Sequence, residues 1–340
     1  MESLDSFGYV WMAPSPFTDN LKAIKKAIDA GVDTIVLKSV TSSARAGEPK
    51  KGKRIIKKGF TANIDQTLFV PYEVFDESTG ETRASKTLFC TSTDLDIEIL
   101  SFEEANALYD QVKEYSPETK VIQSFKPHRL ADFPEAKKLK ADAIEFNPRW
   151  YETSNPRPCP AVVWKDHDIF TSDDLGLPPE IRKDVQDSLL LREEAIRKAE
   201  EFKKGLSSLR LDIPVLYKFV REHWEMGLEE QICFPADGYT YADSRKVGSY
   251  QTKDGYCRLQ WGKGSLCGEI LKEDTRGMIK MLRSRKPETY ISASGGIMAL
   301  EDALYCLENG ADSVQLCSAV YFDGFRAVKK IVEGVAKAFK

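Results

Sequence analysis

Short apolar segments alternate with amphipathic helical segments along nearly the whole chain, and this alternation is the feature that most restricts the fold. It is typical of βα units, in which helices cover a parallel sheet. The helical segment over 19–31, for example, has Asp19 as its expected cap and Gly31 as its expected end. Eight segments have the composition of strands: 9–12, 34–38, 120–125, 142–147, 213–219, 230–234, 288–293 and 312–317.

Eight strands mostly separated by helices predict a (β/α)8 barrel, the TIM barrel. The alternative is a doubly wound open sheet, which is disfavoured because no G-x-G-x-x-G sequence follows the first strand. At 340 residues the chain is long for an ordinary domain but normal for a barrel with insertions. We therefore expect one domain over 1–340, with no internal repeat.

Two stretches do not fit the strand–helix alternation and are predicted to be insertions, at about 42–100 and 235–270. The first contains a basic run over 45–58, expected to be a solvated loop, and a predicted hairpin over 66–91. A phosphate- or RNA-contacting role for the basic run is the alternative. Both insertions follow strands, so in a barrel they would lie on the C-terminal rim, where active sites are found.

Composition excludes several classes of function. The net charge is −4, so the chain has no overall attraction to nucleic acid or to an anionic membrane. The first residues do not resemble a signal peptide, and no apolar run has the length of a membrane span. The seven cysteines include no C-x-x-C pair, which favours reduced thiols over disulfides or a metal site. We expect a cytoplasmic protein without a metal.

A glycine pair, Gly295-Gly296, ends the seventh predicted strand, and Cys317-Ser318 ends the eighth. In (β/α)8 barrels the loops after these two strands commonly bind phosphate. Glycine lets the backbone approach a ligand closely, so that amide N–H groups can face an anion. A tight turn without a ligand would also favour glycine.

The surrounding pattern is more specific than the glycine pair. The sequence S-x-S-G-G-I, followed by E-D-A and by N-G-A-D-S-V-Q-L-C-S-A, resembles the C-terminal signature of the dihydroorotate dehydrogenase family. Members of that family are FMN-dependent barrels, and this segment binds the FMN phosphate in them. Further similar motifs occur upstream in the family's order: 12-MAPSP-16, 36-VLKSVT-41, 145-EFN-147, 214-PVLYK-218 and 264-GSLCG-268.

The resemblance implies a role for each matching residue. Lys218 would lie near the N1–O2 edge of the flavin, where a fixed ammonium stabilises negative charge, and Asn147 would hydrogen-bond the flavin or the substrate. The other implied cofactor contacts are Ala13 and Pro14 with the isoalloxazine, Lys38 and Ser39 with the ring or ribityl, Gly264 and Ser265 with the ribityl–phosphate region, and Gly295, Gly296, Cys317 and Ser318 with the phosphate.

The sequence departs from the family where the acid or base is expected. Family members use Cys or Ser there, whereas this chain has Trp150, which has no titratable group. The candidate replacements are Tyr151, Ser154, Cys159 and His167, of which Tyr151 could donate a proton as a neutral phenol. The family's asparagines after the sixth strand are also missing, so Asp237 or the tyrosines beside it are expected to line the substrate side.

These observations predict an FMN-dependent oxidoreductase that moves hydride between flavin N5 and a C–C bond next to a carbonyl of a small molecule. The departures indicate that the substrate is not plain dihydroorotate. The sequence has no iron–sulfur cysteine cluster, so an external electron donor or acceptor is expected. The resemblance also implies a homodimer and a place in pyrimidine metabolism. The alternative is a flavin-free barrel that acts as a lyase or isomerase on a phosphorylated substrate, with Lys38 or Lys218 as base or Schiff-base amine.

Overall fold

The structure is a computed structural model. It describes residues 3–41, 100–127, 130–147, 200–219, 234–242 and 267–339, Lys86, and the backbone of strands within 54–90 and 245–266. The predictions for Trp150, Tyr151, Ser154, Cys159 and His167 lie outside these residues, as does that for most of the basic run.

Eight parallel strands form a closed barrel, in which each strand pairs with its neighbours in sequence and the last pairs with the first. The predicted (β/α)8 barrel is therefore confirmed, and the open doubly wound sheet is excluded. The strands are β1 (Val10–Met12), β2 (Thr34–Thr41), β3 (Lys120–Lys126), β4 (Ala143–Phe146), β5 (Val215–Phe219), β6 (Gly238–Ala242), β7 (Tyr290–Ser294) and β8 (Ser313–Leu316).

Helices cover the outside of the barrel, and the first two have side-chain N-caps. The first helix begins one residue later than predicted, because Asn20 rather than Asp19 accepts the Ala23 N–H, at 3.0 Å. Ser101 and Glu104 form a capping box at the start of the second. The described helices are α1 (Leu21–Asp29), α2 (Phe102–Tyr115), α3 (200–208), α4 (Lys272–Arg285), α5 (Leu300–Glu308), α6 (Ser318–Asp323) and α7 (Phe325–Ala338), with 3-10 helices at Leu4–Phe7, Leu130–Lys138 and Glu269–Leu271.

The sixth strand lies later in the chain than predicted. We expected it at 230–234, but the barrel uses Gly238–Ala242, so the excursion that follows begins after Ala242 rather than at 235. Gly238 belongs in the strand because a Cβ there would meet Leu216 Cδ2 at 2.8 Å. Asp237 consequently precedes the strand and lies at the N-terminal end of the barrel, and Tyr239 and Tyr241 are buried. The prediction that these residues line the substrate side was wrong.

The two insertions contain strands that pair with each other. The predicted hairpin over 66–91 is confirmed: Glu73–Asp76 pairs with Glu81–Ala84, and Thr67–Phe69 with Thr87–Cys90, both antiparallel. Gly264–Gly268, from the second insertion, pairs on one side with Thr87–Cys90 and on the other with Arg245–Val247. The result is one four-stranded sheet built from both insertions.

Lys86 connects this sheet to the barrel helices. Its Nζ lies 2.5 Å from Asp323 Oδ2 in α6, and its backbone N–H donates to Glu269 Oε2 at 3.1 Å. Glu269 lies in the segment between β6 and α4, and Asp323 follows β8, so the two contacts join the first insertion to those two segments.

Apolar side chains fill the barrel at its N-terminal end. We call this group the lower cluster, and it consists of Leu4, Phe7, Trp11, Val36, Ile122, Ala143, Leu216 and Tyr290. Trp11 is its largest member, and its indole N–H donates to the carbonyls of Phe7 and Gly8, at 3.0 and 2.9 Å.

No helix in the described part of the chain combines the length and apolarity needed to cross a membrane.

Candidate functional site

A layer of polar side chains lies directly above the lower cluster, toward the C-terminal ends of the strands. Because side chains alternate between the two faces of a strand, the residue two positions after each inward apolar residue also points into the barrel. Barrel interiors are normally filled by branched apolar residues, so a polar layer needs a separate explanation. The layer comprises Ser124, Glu145, Lys218, Thr240, Ser292 and Gln315.

A buried ion pair occupies the centre of this polar layer. Lys218 Nζ lies 3.2 Å from Glu145 Oε1, and the two side chains are 12% and 0% exposed. Lys218 is in β5 and Glu145 in the adjacent β4, where Glu145 pairs in register with Leu216. Lys218 is two residues beyond Leu216 along β5, so its ammonium lies above the Glu145 carboxylate, on the side of the mouth.

Gln315 in β8 contacts the same carboxylate from across the barrel. Its Nε2 lies 3.3 Å from Glu145 Oε2, 3.2 Å from Ser292 Oγ and 3.4 Å from Thr240 Oγ1. Ser313 Oγ donates in turn to Ser292 Oγ at 2.9 Å. Strands β4, β6, β7 and β8 are thus joined through their inward side chains.

A bulge in β2 places two predicted cofactor residues at the mouth. Leu37 pairs with Gln123 and Val40 with Phe125, so Lys38 and Ser39 both stand opposite Ser124. Such a two-against-one arrangement redirects side chains near the end of a strand. Ser39 Oγ lies 3.1 Å from Ser124 Oγ and is buried.

The turn after β1 is closely packed. Ala13 is 5% exposed, and its N–H donates to Leu316 O at 2.9 Å; Pro14 is half-buried. Thr18 accepts the Ser15 N–H at 2.9 Å, and the Thr18 carbonyl accepts the Lys38 N–H at 3.2 Å. The turn is therefore fixed to the bulge of β2, and the small side chain of Ala13 leaves the mouth open above β1.

Asn147 follows β4 directly and is half-buried, with its N–H donating to Phe125 O at 2.8 Å. It is two positions beyond Glu145, so it lies on the inward face, one layer nearer the mouth. Residues 148–199 lie outside the described residues, and Trp150 and Tyr151 are among them.

The loops after β7 and β8 have the backbone geometry that the glycines suggested. Gly295 and Gly296 have φ angles of 102° and 70°, which favour glycine. A Cβ on Gly296 would meet the Lys272 backbone nitrogen at 2.4 Å, so the close packing of α4 already accounts for this glycine. Cys317 precedes α6, which starts at Ser318, and Gly264 and Ser265 lie in the rim strand Gly264–Gly268.

Sequence reasoning missed Glu145, Gln315 and Lys126. Lys126 is 4% exposed and, by alternation after Ile122 and Ser124, lies on the inward face of β3. A charged residue inside an otherwise apolar strand was the available signal for Glu145, since such residues are rarely buried without a partner. The described inward residues of the polar layer and the mouth include three lysines, Lys38, Lys126 and Lys218, as well as Glu145.

Tyr290, in the lower cluster, has no acid or base role at neutral pH. Burial raises the pKa of its phenol far above the usual range, and a hydrogen bond with Ser313 opposes that rise only in part. Its ring stacks on Trp11 with centroids 5.7 Å apart. Tyr290 is therefore part of the packing of the lower cluster.

The closed barrel with a charged polar layer toward its C-terminal mouth defines a class: a (β/α)8 barrel, whose members commonly have their active sites at that end. A sequence model of the family described as dihydroorotate dehydrogenase matches residues 242–339. That segment contains β7, β8 and both predicted phosphate loops, but not Lys38, Asn147 or Lys218.

Three relatives give the same family name. A dihydroorotate dehydrogenase (quinone) from Dichelobacter nodosus is 27% identical over 155 residues, which are 43% of this chain and 44% of that protein. The catalytic subunits of dihydroorotate dehydrogenase B (NAD(+)) from Thermotoga petrophila and Thermotoga maritima are each 29% identical over 133 residues, 38% of this chain and 47% of each subunit. The chain thus matches less than half the length of each relative. The chain is therefore similar to dihydroorotate dehydrogenases at low identity and over part of its length.

Proposed function

We propose that this protein is an FMN-dependent oxidoreductase that moves hydride between flavin N5 and a C–C bond adjacent to a carbonyl of a small molecule. The observation that carries the proposal is the buried Lys218–Glu145 pair in a polar layer at the C-terminal mouth. A barrel needs no ion pair in its interior to close, and branched apolar residues normally fill that space. The similarity to dihydroorotate dehydrogenases is the reason for proposing FMN as the cofactor.

The chemistry of the residues present fits FMN. An ammonium group, the hydroxyl of Ser39 and an amide at Asn147 can meet the acceptors of a pyrimidine edge, and the small Ala13 leaves space for a flat ring. Backbone N–H groups around Gly295 and Cys317 are the donors that a phosphate requires. Bound FMN would supply the hydride exchange at N5.

Each residue then has a definite task. Lys218 holds its ammonium where negative charge accumulates during hydride exchange, and such preorganised charge lowers the barrier most in a site with little water. Asn147 orients the pyrimidine edge or the substrate. Lys38 adds positive charge at the mouth, which suits a substrate with carbonyl or carboxylate oxygens.

The acid/base step is proposed to differ from that of the family. Trp150 stands at the family's Cys or Ser position and cannot carry a proton. We propose Tyr151 as the proton donor in the direction of C=C reduction, and a small ring other than plain dihydroorotate as the substrate. The proposal also includes an external electron donor or acceptor, a cytoplasmic homodimer and a role in pyrimidine metabolism.

The test starts with the absorbance of the purified protein. We expect a flavin spectrum, and release of FMN but not FAD on denaturation. A colourless protein that does not take up added FMN would overturn the proposal. If borohydride then traps a carbonyl compound on Lys38 or Lys218, the lyase alternative replaces it.

Lys218→Ala tests the role of the ammonium in the flavin-loaded protein. We expect the rate of flavin reduction to fall by about 10²–10³-fold, the size typical of losing one preorganised charge-stabilising group. Lys330→Ala, on the exposed face of α7, is the control and should leave the rate unchanged. Equal rates in all three proteins would remove Lys218 from the mechanism.

A further inference from the structure

The Glu145 carboxylate is entirely buried and is held from two sides. Among the described residues, its hydrogen-bond partners are Lys218, at 3.2 Å to Oε1, and Gln315, at 3.3 Å to Oε2. An ionised carboxylate is costly to bury unless it is paired and hydrogen-bonded. Both oxygens are partnered here, so the carboxylate has one fixed position beneath the ammonium.

Gln315 is oriented by this carboxylate. A carboxylate only accepts hydrogen bonds, so the Gln315 amide must turn its nitrogen toward Glu145. That choice leaves Gln315 Oε1 buried without a hydrogen-bond partner among the described residues. In the orientation that donates to Glu145, the Gln315 amide therefore lacks a hydrogen bond to its own oxygen from any described residue. Thr240 and Ser292 hold the same nitrogen, at 3.4 and 3.2 Å.

Stability gives no account of this arrangement. Replacing a buried ion pair by apolar residues of similar volume is often neutral or stabilising. Gln315, which contacts the pair, also has a buried amide oxygen without a partner among the described residues, which adds a further cost. The geometry is instead that of a support: the carboxylate is inside and fully enclosed, and the ammonium is outside and faces the mouth.

We propose that Glu145 is a positioning residue that fixes the Lys218 ammonium at the mouth and offsets its charge, with Gln315 holding Glu145 in place. The inference rests on the proposed function, because its consequence concerns the bound flavin. With Glu145 ionised, the flavin faces a neutral pair oriented with its positive end outward. Without that carboxylate it would face an uncompensated cation.

Glu145→Gln tests this charge effect with little change in shape. The reduced flavin carries negative charge near N1, so removing the carboxylate should favour it over the oxidised form. We expect the ratio of affinities for reduced and oxidised FMN to rise about tenfold, a shift of the midpoint potential by ~+30 mV for a two-electron couple. Lys218→Met should shift the potential in the opposite direction, and the double variant should lie between the two.

Gln315→Met tests the support of the carboxylate. It keeps the side-chain length but removes the donor to Glu145, so the potential should move in the same direction as in Glu145→Gln, by a smaller amount. Gln123→Met is the matched control, because Gln123 is an equally buried amide that bonds outward to the carbonyls of Ala105 and Lys140. It should leave the potential unchanged. An unchanged potential in Glu145→Gln, or one that the control reproduces, overturns the proposal.

A second measurement does not depend on the flavin and separates this inference from the proposed function. A protein that takes up no FMN contradicts the function, and the positioning of Lys218 is then measured by a double-mutant cycle in urea. With Glu145→Gln and Lys218→Met we expect a coupling of at least about tenfold in the unfolding equilibrium constant, as for charged groups in direct contact. Additive effects would show that Glu145 does not hold Lys218.

Discussion

The two ends of the barrel differ: the N-terminal end repeats one side-chain contact four times, and the C-terminal end does not. At the N-terminal end, an aspartate stands one position before every even-numbered strand and accepts a backbone N–H from the start of the preceding odd-numbered strand. The four contacts are Asp33 with Val10 at 3.1 Å, Asp142 with Val121 at 2.7 Å, Asp237 with Val215 at 2.8 Å and Asp312 with Ile291 at 2.7 Å.

The same four strands carry different residues at the mouth. Five positions after each aspartate, the chain has Lys38, Asn147, Ala242 and Cys317 in turn. Closing the barrel imposes a similar local geometry on successive strand pairs, so the same contact between an aspartate and a backbone N–H occurs four times. Under the proposed function, a ligand at the mouth would meet each strand from a different direction and would therefore require different side chains there. At the N-terminal end the shared sequence is only an Ala-Asp or Val-Asp pair before each of the four strands.

The largest effect on stability is expected from the lower cluster, at the repeated end. Trp11→Ala removes a fully buried side chain that stacks on Tyr290 and hydrogen-bonds two carbonyls of the N-terminal 3-10 segment. We expect a loss of about 3–5 kcal/mol in the free energy of unfolding, measured in urea. FMN uptake per folded molecule should not change. A variant that keeps its stability but loses FMN would contradict the separation of the two ends.

Much of the fold could be predicted because the signals are local. The apolar runs around Val121, Ile291 and Val314 are bounded by polar or glycine residues, which defines β3, β7 and β8 from the sequence alone. Gly238 shows where this reasoning fails: a glycine looks like part of a loop, but here it is the residue that fits beside Leu216. Gly238 is in β6 because of its packing against Leu216 of β5, which is not visible in the local sequence.

The polar layer could be predicted less well because its contacts are not local. Glu145 and Lys218 are 73 positions apart, and Glu145 and Gln315 are 170 apart. The sequence indicated that Lys218 and Asn147 end their strands, but not that a carboxylate would lie beneath the ammonium. Only closure of the barrel brings the Gln315 amide of β8 within hydrogen-bonding distance of the Glu145 carboxylate of β4.

The second-largest effect is expected from the mouth. Lys218→Met leaves Glu145 buried and unpaired, which should cost about 3 kcal/mol at neutral pH. Lys218→Met combined with Glu145→Gln removes the stranded charge and should recover most of that loss. The measurement is urea unfolding of the two variants beside the wild type. If the double variant is as unstable as the single one, the loss comes from packing rather than from the unpaired carboxylate.

The four aspartates should not contribute equally, although their geometry repeats. Asp312 also forms an ion pair with Arg283 at 2.6 Å, and Asp142 one with Lys113 at 2.7 Å, whereas Asp237 is exposed. We expect Asp312→Ala to cost about 2 kcal/mol in unfolding free energy and Asp237→Ala about 1 kcal/mol. Thermal unfolding of both variants checks the order. Equal losses would show that the backbone N–H contact alone determines the effect.

The smallest effect concerns Asp33 and appears as a pH dependence. Burial raises the pKa of its carboxyl above the ordinary 3.8, while the N–H groups of Val10 and Tyr9 oppose that rise. A raised pKa in the folded state means that the stability contribution is present below pH 3.8 and is lost as pH rises through the folded value. Part of the residue is exposed, so the change is small.

Asp33→Asn keeps an oxygen acceptor for those two N–H groups but cannot ionise. Its unfolding free energy relative to wild type should therefore rise as the pH goes from just below 3.8 into the neutral range. Asp237→Asn, at the equivalent position before β6, is the control for the general effect of removing one charge. If both variants follow the same pH profile, the burial of Asp33 has no consequence for stability, and the repeated end of the barrel is electrostatically uniform at these two positions.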